Sequence, residues 1–128
     1  MTTELTMLAW AVVLGLVHVV ATGQLRVAQF GPRYGMGPRD EKKALTGIPA
    51  RVERAFANYM QTFPFFAAAV LIAHVAGRHS WLTVTGSELY FWARLVYVPL
   101  YATGLPVLRS VAFLVATLGI VLILVALT

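Results

Sequence analysis

The sequence predicts an all-α integral membrane protein, a bundle of four transmembrane helices in one domain covering residues 1–128. Three observations predict it. Of the 128 residues, 59% are hydrophobic and only 12% are charged, against about 25% charged in an ordinary soluble domain. The charges are clustered, which leaves long uncharged runs: Leu5–Val17, Ala55–Gly77, Leu89–Ala93 with Leu95–Leu108, and Ser110–Thr128. Crossing a bilayer takes about 20 apolar residues. Spans are therefore expected at Leu5–Val27, Arg54–Ala76, Glu88–Leu105 and Val107–Leu127, the third interrupted by Arg94. Finally, glycine and proline gather between the runs, where a chain must turn. Buried helices of a soluble fold are the disfavoured alternative, because the polar residues available are too few to cover such a core.

Composition also removes chemistries. The chain has no cysteine, so disulfides, thiolate metal sites and a protein thiol nucleophile are ruled out. No metal-ligand spacing is evident. The first apolar run follows Glu4 and lacks a basic leader, so the first span is expected to stay in the mature protein. The net charge of +5 reads as membrane topology and not as nucleic-acid binding. Arg26, Arg33, Arg39, Lys42, Lys43, Arg51 and Arg54 crowd the first loop and its borders, whereas the connection after the second span holds only Arg78. The positive-inside rule then places the first loop and the turn with Arg109 in the cytoplasm and both termini on the other side. The basic run also suits anionic lipid headgroups.

In the first span His18 and Thr22 share a face (i, i+4), with Gln24 and Arg26 at the cytoplasmic end. His18 is either an interhelical hydrogen-bonding residue or a ligand; Arg26 either snorkels to the interface or belongs to a site. The first loop, Ala28–Ala50, contains Gly31-Pro32, Gly35, Gly37-Pro38, Gly47 and Pro49 and reads as turns, with Tyr34 and Met36 packing back on the bundle or the interface. Gly35–Gly37 is not a dinucleotide fingerprint, since no strand precedes it.

The second span is organised around Arg51, Arg54, Asn58 and Gln61, at offsets 0, 3, 7 and 10. At 100° per residue these fall within an arc of roughly 80°. One stripe of an apolar helix is thus polar and cationic, and polar groups in a span face protein or water. Pro64 lies well inside this helix and frees the carbonyl of Met60, beside Gln61. The third span repeats the spacing with Arg94, Tyr97, Tyr101 and Gly104, and Tyr90 stands four residues earlier. Arg94 lies some six residues, about 9 Å, inside its span, and a charge at that depth needs a partner. A protomer interface is one place to bury it. Span four opens with Arg109-Ser110 and is otherwise Leu-, Val- and Ile-rich, as suits a helix facing lipid.

With this topology Arg54, Asn58 and Gln61 descend from the cytoplasmic side together with Tyr101 and Tyr97, while Arg26, Arg109 and Ser110 sit at the rim. The set holds cations, phenols and amides but no acid; Glu53 points about 100° away from Arg54 on its helix, and Glu4 and Glu88 belong near the opposite side. Such a set asks for an anion, which arginine meets by bidentate pairing with carboxylates.

At these residues the sequence resembles the membrane-associated proteins in eicosanoid and glutathione metabolism, the MAPEG family, and within it the short bacterial branch. The matching pieces are Thr22-Gly23-Gln24-Leu25-Arg26, then Arg54-Ala55-x-x-Asn58 followed by Phe63-Pro64, then Tyr90-Phe91-x-x-Arg94 through Tyr97 and Tyr101 to Arg109-Ser110. The resemblance implies a membrane homotrimer, in the plasma membrane if the source is bacterial, with glutathione as substrate or cofactor between protomers and a lipophilic small molecule as acceptor. Arginines at the positions of Arg26, Arg54 and Arg109 would hold the tripeptide's carboxylates or activate its thiol. Asn58, Gln61, Arg94, Tyr97, Tyr101 and Ser110 would complete the pocket, and Arg109 is the candidate catalytic residue, with Ser110 or Tyr101 as alternative hydrogen-bond donors. The chain departs from the family pattern at Gln61, where the enzymes carry glutamate, at Ala57, where some carry arginine, and at Tyr97, where some carry histidine. Two rivals stand beside this reading: a non-catalytic membrane assembly protein of the same fold, and a small exporter of lipophilic cations, which would need a carboxylate within a span.

Overall fold

A computed structural model describes residues 1–31 and 45–128. Most of the Gly- and Pro-rich first loop, with Tyr34, Met36 and the basic residues Arg33, Arg39, Lys42 and Lys43, lies outside the described residues. The described chain forms four α-helices: α1 (Thr3–Phe30), α2 (Gly47–Val75), α3 (Trp81–Ala102) and α4 (Pro106–Ala126). Three of them, α1, α2 and α4, are long and apolar enough to cross a membrane. The fourth, α3, has 22 residues, about 33 Å, but its Glu88 and Arg94 and its hydroxyl-bearing residues lower its hydropathy.

Local chemistry sets the helix ends. The Thr2 side chain accepts from the Leu5 amide at 3.3 Å, satisfying one of the unpaired donors at the start of α1, and Glu4 lies in that first turn, where the helix dipole favours an anion. Thr83 Oγ1 accepts from the Ser80 amide at 3.0 Å at the start of α3. Between α3 and α4 the chain reverses through Gly104, whose φ of 75° suits glycine, and Pro106 occupies the first turn of α4, where its missing N–H costs nothing. Arg51 of α2 reaches this turn and donates to the Ala102 carbonyl at 3.3 Å, a cation at a helix C-terminus. The first residue of the polar stripe is therefore a cap on α3. Pro64 sits within α2, yet the helix runs on to Val75.

Among the described residues α1 packs on α2 and α3, α4 packs on α3 and α2, and α1 and α4 do not meet. The contact between α2 and α3 is thus the central diagonal of the bundle. Its core is aromatic: Tyr90 stacks on Phe66 with centroids 4.0 Å apart and shares a 2.9 Å hydrogen bond with Thr62. Tyr59, 1% exposed, donates its hydroxyl proton to the Ala11 carbonyl and so ties α2 to α1. At the end shared by the chain's termini, Glu4 pairs with His79 at 2.8 Å. His18 is buried with its ring against Phe56 and Tyr59, at 5.6 and 5.1 Å. Its Nε2 meets no hydrogen-bond partner among the described residues, and aromatic packing surrounds the ring. The outward faces carry large exposed apolar side chains such as Leu118, Val121 and Leu124, the surface a bilayer requires.

The tightest approach is between α3 and α4. A Cβ placed on Gly86 would lie 2.9 Å from Ile123 Cγ1 and against the Gly119 carbonyl, and one on Gly119 would lie 2.9 Å from the Tyr90 amide. Small residues let helix backbones meet where no hydrophobic force draws them together. Gly86→Ala and Gly119→Ala are each expected to destabilise by about 1–3 kcal/mol through overpacking. Gly23→Ala, in α1 with nothing within 4 Å of the new carbon, is the matched control and should leave stability unchanged or raised. Thermal melts in detergent micelles that rank all three alike would refute the close approach.

Candidate functional site

The polar stripes of α2 and α3 meet the start of α4 at one cavity of about 320 Å³, lined by Asn58, Tyr97, Arg109, Ser110, Phe113 and Leu114. Its walls come from α2, α3 and α4. Asn58 belongs to α2 and Tyr97 to α3, and the α2–α3 contact brings them together. Arg109 and Ser110 arrive from the first turn of α4, placed there by the Gly104–Pro106 reversal.

Tyr101 forms the rim. Its ring lies 4.5 Å from the Arg109 guanidinium and 5.9 Å from that of Arg54, both within cation–π range. Arg54 Nε also donates to the Tyr101 hydroxyl at 3.3 Å, and Tyr97 stands 5.6 Å from Tyr101. The Tyr101 oxygen is thus an acceptor toward Arg54, which leaves its own proton free to donate. Ser110 is different. Its hydroxyl donates to the Pro106 carbonyl at 2.9 Å, so its proton is already committed and its remaining lone pairs face the cavity.

Arg94 stands behind the wall and is 1% exposed. Its Nη1 donates to Asn58 Oδ1 at 2.8 Å, and its guanidinium lies 4.1 Å from the Tyr97 ring and 5.4 Å from the Tyr59 ring. Its Nε meets no partner. The expectation that Arg94 finds cover at a protomer interface is corrected here: the protomer itself buries it. The residue orients Asn58 and Tyr97 toward the cavity without lining it.

Two further candidates stand apart. Arg26 pairs with Glu53 across the α1–α2 contact, so the expectation of an acid-free cluster does not hold at that position. Glu53 turns away from Arg54 on α2, and the same 100° that removes it from the cavity aims it at α1. Gln61 is exposed one turn beyond Asn58 on the stripe and does not line the cavity. Phe113 and Leu114, apolar lining residues, carried no sequence signal beyond their place one turn after Arg109-Ser110. Arg54, Arg94 and Arg109 make no ion pair among the described residues, and no group of metal ligands occurs there. The site can therefore take an anion with carboxylate groups and offers phenol and guanidinium donors to it.

Removing Asn58 strands a buried charge, whereas removing Arg94 leaves a neutral amide that the cavity can hydrate. Asn58→Leu is expected to cost about 3 kcal/mol, the penalty of a buried ion losing its partner, and Arg94→Met less. The double variant should be no less stable than Asn58→Leu alone. Denaturation in micelles showing additive losses would remove the coupling between these two side chains.

The comparisons with known proteins bear on the whole chain. No curated protein and no solved structure matches it. The family model of the MAPEG family matches residues 5–128, nearly the full length, and three described helices are able to cross a membrane. The chain belongs to the MAPEG family, as a multi-pass membrane protein.

Proposed function

We propose that the protein binds glutathione, or a closely similar thiol tripeptide, in the α2–α4 cavity and activates its thiolate toward lipophilic electrophiles, as a membrane glutathione-transferase- or peroxidase-like enzyme. One observation carries this reading: three guanidinium groups converge on Asn58, Tyr97 and Tyr101 without a carboxylate among the described residues to neutralise them. Arg54, exposed at the rim, is suited to a tripeptide carboxylate. Asn58, fixed by Arg94, presents its amide to the peptide backbone. Gln61, next on the same stripe, offers a neutral contact to the ammonium group. A free thiol has a pKa near 8.5 and is mostly protonated at neutral pH. Arg109 beside the sulfur favours the anion, and a shift of one unit takes about 1.4 kcal/mol of differential stabilisation. The free proton of Tyr101 adds a hydrogen bond to the same anion.

Arg54 and Gln61 are exposed on the same stripe of α2 as Asn58. We place a neighbouring protomer there, in a homotrimer, so that the site is closed by the bundle beside it and the lipophilic acceptor arrives from the bilayer. The positive charge of the first loop favours a cytoplasmic location for this end of the bundle.

Glutathione should raise the melting temperature of the micelle-solubilised protein by mass action. Arg54→Ala should abolish that rise while native mass spectrometry still records the trimer. Arg109→Leu should lose thiolate absorbance and conjugation to a lipophilic electrophile yet keep part of the binding. Turnover that survives Arg109→Leu would exclude the mechanism. A wild type that binds no glutathione favours a non-catalytic assembly protein of the same fold, with Gln61→Glu as the substitution that tests restored binding.

A further inference from the structure

On a different face, between α3 and α4, the bundle leaves an apolar groove of about 640 Å³. Leu89, Trp92 and Val96 of α3 and Leu108, Val111 and Val115 of α4 form its walls. Its volume lies in the usual range of small-molecule sites, about 300–1,000 Å³. From Thr85 to Leu100, the ends of its α3 wall, the groove runs about 22 Å at 1.5 Å per residue. One charged side chain lines it, Glu88. Glu88 is exposed, makes no ion pair among the described residues, and lies one helical turn from Trp92, which is itself 55% exposed.

A groove that only shed lipid tails would need no carboxylate, and an ionisable group within a span is costly unless something answers it. We propose that the α3–α4 groove is a binding site for a lipophilic organic cation, whose apolar body fills the groove while its charge pairs with Glu88 beside the indole of Trp92. Carboxylate and indole on successive turns offer a cation both an ion pair and a π-face. Depth separates this occupant from an amine-bearing phospholipid. Trp81, 73% exposed at the start of α3, suits the interfacial belt, and Glu88 lies seven residues further in, about 10 Å deeper. A phospholipid ammonium at that level would drag its phosphate below the headgroups; a lipophilic cation has no phosphate to bury. The structure also supplies what an exporter reading of the sequence lacked, a carboxylate inside a membrane-length helix. The site stands independently of the glutathione reading, because the cavity beside Arg109 shares none of its lining residues.

The probe is tetraphenylphosphonium, added to the full chain in phosphatidylcholine nanodiscs and followed by equilibrium dialysis. Tetraphenylborate, of the same shape and opposite charge, is the control. Above the uptake of empty nanodiscs, saturable binding of the phosphonium at one per protomer is expected, and no protein-dependent binding of the borate. Glu88→Gln should weaken it roughly tenfold or more, the loss of one partly desolvated ion pair. Val111→Trp, which fills the groove and leaves Glu88 in place, should abolish it. Equal affinity of wild type and Glu88→Gln, or equal binding of phosphonium and borate, overturns the proposal. Should Glu88→Gln fail to fold, unchanged affinity in Val111→Trp overturns it alone. An ethanolamine phospholipid that copurifies with the wild type but not with Glu88→Gln, in a protein that ignores the phosphonium, assigns the groove to lipid headgroups and overturns it as well.

Discussion

Arg94 is a guanidinium buried in the middle of a membrane protein with no acid beside it among the described residues. Much of the architecture answers that one constraint. The α2–α3 diagonal supplies an amide oxygen from Asn58 and two aromatic faces from Tyr97 and Tyr59. Each of these groups is neutral, so the positive charge is solvated but not cancelled. That distinction matters for what lies in front of it. A carboxylate partner would have silenced the field of Arg94 at the cavity; amide and π-faces leave it in force. Together with Arg54 and Arg109 it gives the cavity a positive potential, and low-dielectric walls strengthen such a field.

Neighbouring polar side chains hold the helices together. Tyr59 ties α2 to α1 through the Ala11 carbonyl, Thr62 and Tyr90 tie α2 to α3, and Arg51 closes the C-terminal end of α3. The polar stripe of α2 is thus divided by function. Its first residue caps a neighbouring helix, its middle residues shape the cavity, and Gln61 stays exposed. Polar groups that hold the bundle together and polar groups free for a ligand alternate along one helix, which is why their spacing alone does not sort them.

Two faces of α4 serve two different neighbourhoods. Arg109, Ser110, Phe113 and Leu114 turn toward the cavity between α2 and α4, whereas Leu108, Val111 and Val115 turn toward the groove between α3 and α4. The close packing at Gly86 and Gly119 fixes α4 on α3 and so sets the width of the groove. One largely apolar helix therefore partitions a cation-rich cavity from a groove whose single charged lining residue is negative.

The sequence by itself determined the class of the molecule. Long uncharged runs separated by Gly and Pro leave a chain no stable state except helices in lipid, since every backbone group must be paired within its own segment. It also determined the stripes: offsets of three and four residues put Arg54 with Asn58, and Tyr97 with Tyr101, on common faces whatever the packing. The ordered motifs identified the family. Tertiary structure decided the partners. Glu53 looks idle in sequence because it faces away from Arg54, and only the docking of α1 reveals that it holds Arg26. Arg94 looks like an interface residue because no single helix can cover a guanidinium, and only the α2–α3 diagonal shows that the protomer covers it. Glu88 looks like an end-of-span residue because its depth depends on where α3 begins, at Trp81, seven residues before it. Periodicity specifies which way a side chain leaves its own helix; what it meets there depends on the rotation and height of the next helix, and those are set by packing.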